Sequence, residues 1–291
     1  GTAAVSGQGL QAGVQLAVDE INEAGGIEGR KLNAIILDDG YTADRVVTNV
    51  RRLVSQEGVY AVVAPAGSQG LPGTWQFIAQ NKTPVWGPIS PADPKQSEVY
   101  LLSATRPSQA QVAIDYFAKQ GVKKLAVIQQ DNDLGVSAKA ALDSQVPKHP
   151  GLQIVANETT QAGSTEVSSA VNKVVAAQPD AVLLAEDNTS VALILKALRA
   201  QGFTRPVFAD QGGAGTGGTS TVGPAGAAAE GFLAGMQADT ASTNNPDVEH
   251  WRSLAKASGK PQAESGFSLQ TYSFVRAFAE LVKRMGPDMS Y

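Results

Sequence analysis

The 291 residues carry 23 Lys and Arg against 27 Asp and Glu, a net charge of −4, with 43% hydrophobic and 17% charged residues and no cysteine. A chain this long exceeds one ordinary core and suits two lobes of about 100–150 residues each. The composition excludes a disordered chain, a disulfide framework, a thiolate metal site and a cysteine nucleophile, and without a basic run it speaks against nucleic-acid binding.

In chain order, helical and strand patterns alternate. Residues 8–24 predict a helix, with Leu10, Val14, Ala17, Val18 and Ile21 on one face and Gly25-Gly26 as its stop. Residues 32–37 predict a strand ending in Asp38-Asp39, and Thr42 caps a helix striped by Val46, Val47, Val50, Leu53 and Val54. The apolar run 59–63 has the character of a strand covered on both faces, followed by a helix around 75–79 and a strand near Val85.

The pattern then restarts. Helices are predicted at 109–120, 134–145, 164–177 and 189–201, and strands at 124–129, 152–156, 181–185 and 207–209. Such alternation implies parallel sheets of right-handed βαβ units. After the glycine-rich stretch 212–226 come a strand at 232–236, a polar connector and helices at 247–257 and 266–285. The expected fold is α/β, with two doubly wound Rossmann-like lobes joined by a hinge: residues 1–104 with 239–291, and 105–238. Because a parallel sheet usually opens with a strand, the reading expects a strand before Gly1 and further chain after Tyr291, that is, truncation at both ends.

Few motifs carry chemistry. Gly7-Gln-Gly9-x-x-x-Gly13 has the wrong spacing for a dinucleotide fingerprint, and no strand precedes it in the chain, so a glycine-rich helix start is the better account. Asp38-Asp39 lacks a third ligand and reads as a turn cap. The loop Ala64-Pro-Ala-Gly67-Ser68 exposes backbone N–H groups and a hydroxyl where ligand crevices form in open α/β folds, but no histidine partners Ser68 as a nucleophile. Gly87–Pro91, Glu186-Asp187-Asn188 and Asp210-Gln211 are the equivalent strand-end loops, which together point to a polar ligand held between lobes. His149 and His250 sit in no metal-ligand pattern and read as solvated surface groups. No metal or cofactor is expected.

The stretch from Gly13 to Arg30, GVQLAVDEINEAGGIEGR, resembles the signature of the branched-chain amino-acid (Leu/Ile/Val) binding proteins of ABC transporters. The likeness continues through Leu37-Asp-Asp39, residues 62–68 and 84–90, Arg106-Pro-Ser-Gln, Gln130-Asp-Asn-Asp-Leu-Gly135, residues 179–184 and Gly231-Phe-Leu. It implies a type I periplasmic-binding fold that closes on a solute outside the cytoplasm, in the periplasm or as a surface lipoprotein. It also implies a monomer that performs no catalysis and presents its closed form to an ABC permease.

By the same resemblance, the ligand's carboxylate would meet Ser68, with Gly67, and the loop Ile89-Ser90-Pro91, where Ser90-Pro91 replaces the usual threonine. Asp187 and Gln211 align with the tyrosine and glutamate that hold the ammonium group in relatives, and Asp187, or Glu186 beside it, is expected to supply the charge that Gln211 lacks. Ser6 and Leu134 stand where relatives often carry Trp and Tyr. The expected ligand is an amino acid, an amide or an aromatic acid. A sensory ligand-binding domain of the same fold and a two-lobed Rossmann-type enzyme are the alternatives.

Overall fold

The computed structural model describes residues 4–40, 42–66, 70–89, 97–161, 163–215, 221–240 and 242–286. The chain divides into two compact units, Gly1–Ser103 with Gln237–Tyr291, and Ala104–Met236. Along the first unit run α1 (Ala4–Glu23), α2 (Ala43–Ser55), β1 (Val62–Val63), α3 (Trp75–Asn81), β2 (Val85–Trp86) and β3 (Val99–Tyr100). The second unit holds α4 (Arg106–Lys119), β4 (Lys124–Gln130), α5 (Asp133–Gln145), β5 (Gln153–Thr160), α6 (Ser168–Ala176), β6 (Ala181–Ala185), α7 (Asn188–Ala200) and β7 (Val207–Ala209). Two single-turn helices follow, α8 (Gln211–Ala214) and α9 (Val222–Ala225), within the glycine-rich stretch, and then β8 (Phe232–Ala234). The chain returns to the first unit as α10 (Pro246–Ala257) and α11 (Gly266–Met285).

In the first unit, β1, β2 and β3 form a parallel sheet in that order, each two residues long. Residues 32–37, expected as a strand, form no ladder among the described residues. A strand exists only as a paired edge, and β1 pairs with β2 alone. The alternation that suggested it survives: residues 35, 37 and 39 are half-buried, while 36 and 38 are exposed. One core cluster of the unit lies where α1 meets α10 and α11, around Ala17, Val18, Trp251, Leu269, Tyr272 and Val275, and another packs α2 and α3 on β1 and β2 through Val46, Val50, Val62, Trp75, Ile78 and Val85.

The glycines of α1 explain that contact. A Cβ at Gly13 would lie 2.1 Å from the Ser268 carbonyl oxygen and 2.3 Å from Thr271 Oγ1, and one at Gly9 would lie 2.5 Å from Ser265 Oγ. Four residues apart, the two glycines share one helix face and let the backbones of α1 and α11 nearly touch. Thr271 Oγ1 donates across this seam to the Leu10 carbonyl at 2.9 Å. Further along, Tyr272 Oη donates to Glu20 Oε2 at 2.7 Å, Arg276 donates to Tyr272 Oη at 3.2 Å, and His250 Nε2 meets Glu20 Oε1 at 2.5 Å. His250 is therefore half-exposed yet bonded to a carboxylate, as is His149 with Asp115 at 2.6 Å.

The second unit is a five-stranded, all-parallel sheet in the order β5-β4-β6-β7-β8. Its central strands are apolar throughout: every residue of β6 is buried, as are Leu125, Ala126, Val127 and Ile128 of β4. Such strands need cover on both faces. Helices α4 and α5 supply Ala110, Ile114, Phe117, Leu134 and Leu142 to one face, while α6 and α7 supply Val171, Val174, Ile194 and Leu195 to the other.

The seam gives a paired expectation. Gly13→Ala must push α1 from α11 and should destabilise the protein by about 1–3 kcal/mol. Gly7→Ala, with nothing within 4 Å of the new Cβ, should be neutral or stabilising by up to about 1 kcal/mol, since alanine is the better helix former. Urea unfolding of the two variants checks both signs.

Candidate functional site

In the order β5-β4-β6-β7-β8 the chain leaves β4 toward one side of the sheet and later resumes on the other with β6. The carboxyl ends of β4 and β6 thus flank a topological switch point, where the following helices α5 and α7 diverge onto opposite faces and leave a crevice. Parallel pairing brings the strand ends to one level. Thr160 of β5 lies beside Gln130 of β4, and Ala185 of β6 lies beside Gln129, so Glu186 adjoins Gln130.

Four of the helices that start at this edge have a side-chain acceptor at the cap, whereas α6 starts after Val167 without one. Thr105 caps α4, Asn132 caps α5, Asp187 caps α7 and Asp210 caps α8. Asp187 is fully engaged. Its Oδ1 accepts the N–H groups of Thr189 and Ser190 at 2.9 and 3.0 Å, and its Oδ2 accepts Ser190 Oγ at 3.2 Å and Gln130 Nε2 at 2.5 Å. Gln130 in turn accepts Asn132 Nδ2 at 3.0 Å.

Asp210 is engaged too. Its Oδ1 accepts the Gly213 N–H at 3.0 Å and its Oδ2 accepts Arg106 Nη1 at 2.9 Å, with both side chains largely buried. Arg106 opens α4, at the positive end of a helix dipole where a cation is disfavoured, so Asp210 is its compensation. The buried Gln211 donates its backbone N–H to Gln109 Oε1 at 3.2 Å. A cavity of about 10 Å³ lies under this pair, lined by Arg106, Ala110, Leu134, Ala185, Phe208 and Asp210 among others.

Glu186 is 1% exposed. Thr160 Oγ1 donates to its Oε1 at 2.7 Å, and Oε2 has no partner. Burial, reinforced by the neighbouring charge of Asp187 and opposed by the Thr160 and Gln130 bonds, pushes its pKa up to about 7. Buried side-chain polar atoms are rarely left unpartnered. Among the described residues four are, Ser103 Oγ, Arg106 Nε, Gln129 Oε1 and Glu186 Oε2, and the last three belong to this edge of the second sheet.

The residues expected from the sequence fare differently. Asp187, Gln211 and Leu134 gather at the edge, with Leu134 buried against α4 and the sheet rather than standing free. Ile89 is buried in the first unit, its N–H donating to the Pro65 carbonyl at 2.9 Å, and Ser6 is half-buried in α1. Ser68, Gly67 and Ser90 lie outside the described residues. Arg106, Gln109 and Gln130 are not among the site residues expected from the sequence, and Asp210 is expected only as part of a strand-end loop. The available signal was a cation in the first turn of a helix, which calls for a nearby acid. Asp38 behaves as expected of a turn residue, its Oδ1 accepting the Gly40 N–H at 2.9 Å.

Residues 1–290 match the sequence profile described as periplasmic binding protein. The chain belongs to that family. An amino acid binding protein of Pseudomonas aeruginosa is 26% identical over 217 residues, covering 73% of this chain and 58% of its own length. The Leu/Ile/Val-binding protein homolog 7 of Brucella abortus is 24% identical over 226 residues, 73% of this chain and 56% of that one. The chain thus spans less than two thirds of these relatives.

Among solved structures, a substrate-binding periplasmic protein from Ralstonia solanacearum superposes with a TM-score of 0.88 at 24% identity, over 99% of this chain and 82% of that one. An ABC-transporter solute-binding protein from R. palustris, in complex with benzoate, gives 0.84 at 17% identity over 99% and 79%. At these identities the likeness is one of fold, the two-lobed type I periplasmic-binding architecture that the resemblance implied. These relatives carry the names of binding proteins, and no helix among the described residues is long and apolar enough to cross a membrane.

Glu186 yields a signed expectation. Its folded pKa stands above the ordinary 4.5, so the folded state favours the neutral acid and loses stability as pH rises from the ordinary value through about 7. Glu186→Gln keeps the Thr160 bond without the ionisable group. It should gain on the native protein between about pH 5 and about pH 8, by up to roughly 3 kcal/mol. Melting curves of the two proteins across that range measure the difference, and a constant offset would mean that Glu186 titrates normally.

Proposed function

We propose that the chain is the solute-binding component of an ABC importer, acting outside the cytoplasm and delivering an amino acid or related small polar molecule to a membrane permease. Closure of the two units around the solute is the working step. A ligand that contacts both units only in the closed form shifts that equilibrium by its differential affinity.

One observation carries the reading beyond family membership: unpartnered buried polar atoms concentrate at the switch-point edge of the second sheet. Both donor (Arg106 Nε) and acceptors (Gln129 Oε1, Glu186 Oε2) are among them. An apolar core has no use for such groups, whereas a binding site for a polar solute does.

In this proposal Ser68 and Gly67, with Ile89 and Ser90 in the next loop, receive the solute's carboxylate. Gln211 faces its other end, Ser6 and Leu134 shape the apolar walls, and Asp187 contributes as the cap that fixes the start of α7. The names of the relatives support both amino acids and aromatic acids as candidate solutes.

A thermal-shift screen against amino acids, amides and aromatic acids tests the class. A true ligand at about 100 times its Kd should add about 2.7 kcal/mol of stability. Ser68→Ala should then weaken the best hit by the value of a hydroxyl bonded to a charged group, about 1.5–3 kcal/mol. Unchanged affinity would remove Ser68 from the site.

A further inference from the structure

We infer that Glu186 is a positioning residue for the solute and puts its binding under proton control: as the neutral acid it leaves the Gln130 carboxamide joining the starts of α5 and α7, and as a carboxylate it draws Gln130 away. Solute affinity then falls as the medium turns alkaline. This rests on the solute-binding reading above and adds a regulation to the same site.

Three observations converge on Glu186. The first is a linkage beside it. Gln130 Nε2 donates to Oδ2 of Asp187, the cap of α7, at 2.5 Å, and Gln130 Oε1 accepts from Nδ2 of Asn132, the cap of α5, at 3.0 Å. Asn132 Oδ1 in turn accepts the Leu134 N–H at 2.8 Å. One carboxamide therefore ties together the two helix starts that flank the switch-point crevice. The second is place. Ile128 and Leu184 share one core cluster, and the pleat puts Gln130 and Glu186, two residues on in paired strands, on that same sheet face. The third is the oxygen left over: with Thr160 bonded to Oε1, Glu186 Oε2 is buried and without a partner.

The groups around Glu186 are few. β5 presents Thr160, β4 presents Gln130, α8 presents the Gly213 backbone, and α6 covers this face with apolar Val171 and Val174. α7 presents Ser190 and, at its cap, Asp187, the one charged group among those that shift Glu186. Burial, with Asp187 beside it and no cation to counter it, holds the Glu186 pKa at about 7, while the bonds from Thr160 and Gln130 work the other way. Gln130 already commits its Nε2 hydrogens to Asp187 and, at 3.3 Å, to Ser190 Oγ. A charge-assisted hydrogen bond is about twice as strong as a neutral one. An ionised Glu186 therefore captures the hydrogen held by Ser190 and contests the one held by Asp187, whose charge it also repels. Turning the carboxamide uncouples Asn132 from Asp187, so one proton biases a two-state element at the crevice.

Two measurements on the full chain test this. In the first, NMR follows the backbone amides of Leu134 and Thr189 across pH. Both should titrate with one midpoint at about 7 in the native protein, and neither should in Glu186→Gln. In Gln130→Met, Leu134 should stop titrating while Thr189 continues. The second is calorimetric titration with L-leucine and with benzoate, neither of which changes charge between about pH 6 and about pH 8. Across that window the native affinity for whichever binds should fall on the order of tenfold, as expected when binding requires one proton on a group titrating at the middle of it. The profiles of Glu186→Gln and Gln130→Met should be flat. All are measured well below the melting temperature, so a change in stability alone leaves the profile unmoved. A flat native profile, a sloping one that either variant retains, or a Leu134 amide indifferent to Glu186 overturns the proton control while the solute-binding reading stands. If the native protein binds neither solute at any pH, the solute-binding reading falls and this inference with it.

Discussion

In an all-parallel sheet every strand delivers its chain to the same edge, and every following helix starts there with N–H groups that need acceptors. In the second unit a side chain meets that requirement at four helix starts, Thr105 for α4, Asn132 for α5, Asp187 for α7 and Asp210 for α8, while α6 starts after Val167 without a side-chain cap. Helix capping and ligand recognition therefore compete for the same few oxygens at the same place. Only after the caps are assigned does it become clear which groups remain for a solute.

The competition orders the edge into two layers. Capping residues and the Arg106–Asp210 pair form a framework whose bonds are internal, and breaking one partner of such a buried pair costs about 3–5 kcal/mol because the other is left uncompensated. Around this framework lie the buried groups whose hydrogen-bonding capacity is not consumed: Arg106 Nε, Gln129 Oε1 and Glu186 Oε2. The first unit has its rigidity elsewhere, in the glycine seam between α1 and α11 and the Glu20–Tyr272–Arg276 chain of bonds beyond it. Each unit thus has its own internal network of close contacts and bonds.

Much of this was legible in the sequence, for identifiable reasons. Strands β4, β6 and β7 announce themselves as short apolar runs bounded by polar residues, and α11 spans residues 266–285 as its apolar stripe indicated. The first unit was harder to read. Residues 32–37 alternate like a strand, but pairing is a property of the neighbour, not of the segment. Helices α8 and α9 were hidden in a glycine-rich stretch whose composition argues against helix, and they form because Asp210 caps the first and Thr221 is tied to Gly213 and Asn188. The Gly9–Gly13 spacing gives a helix–helix seam, and that role depends on α11, which lies more than 250 residues further along the chain.

The site residues show the same division more sharply. Glu186-Asp187-Asn188, Asp210-Gln211 and Asn132-Asp133 look alike as strand-end polar loops, and composition alone ranks Asp187 and Asp133 equally. What separates them is a shift of one position. Asp187 and Asp210 occupy the cap itself, with extended backbone that turns the side chain back onto the helix N–H groups, whereas at the start of α5 the cap falls on Asn132 and Asp133 lies one residue inside. A carboxylate in the first turn but past the cap is favoured by the helix dipole without being needed by the backbone.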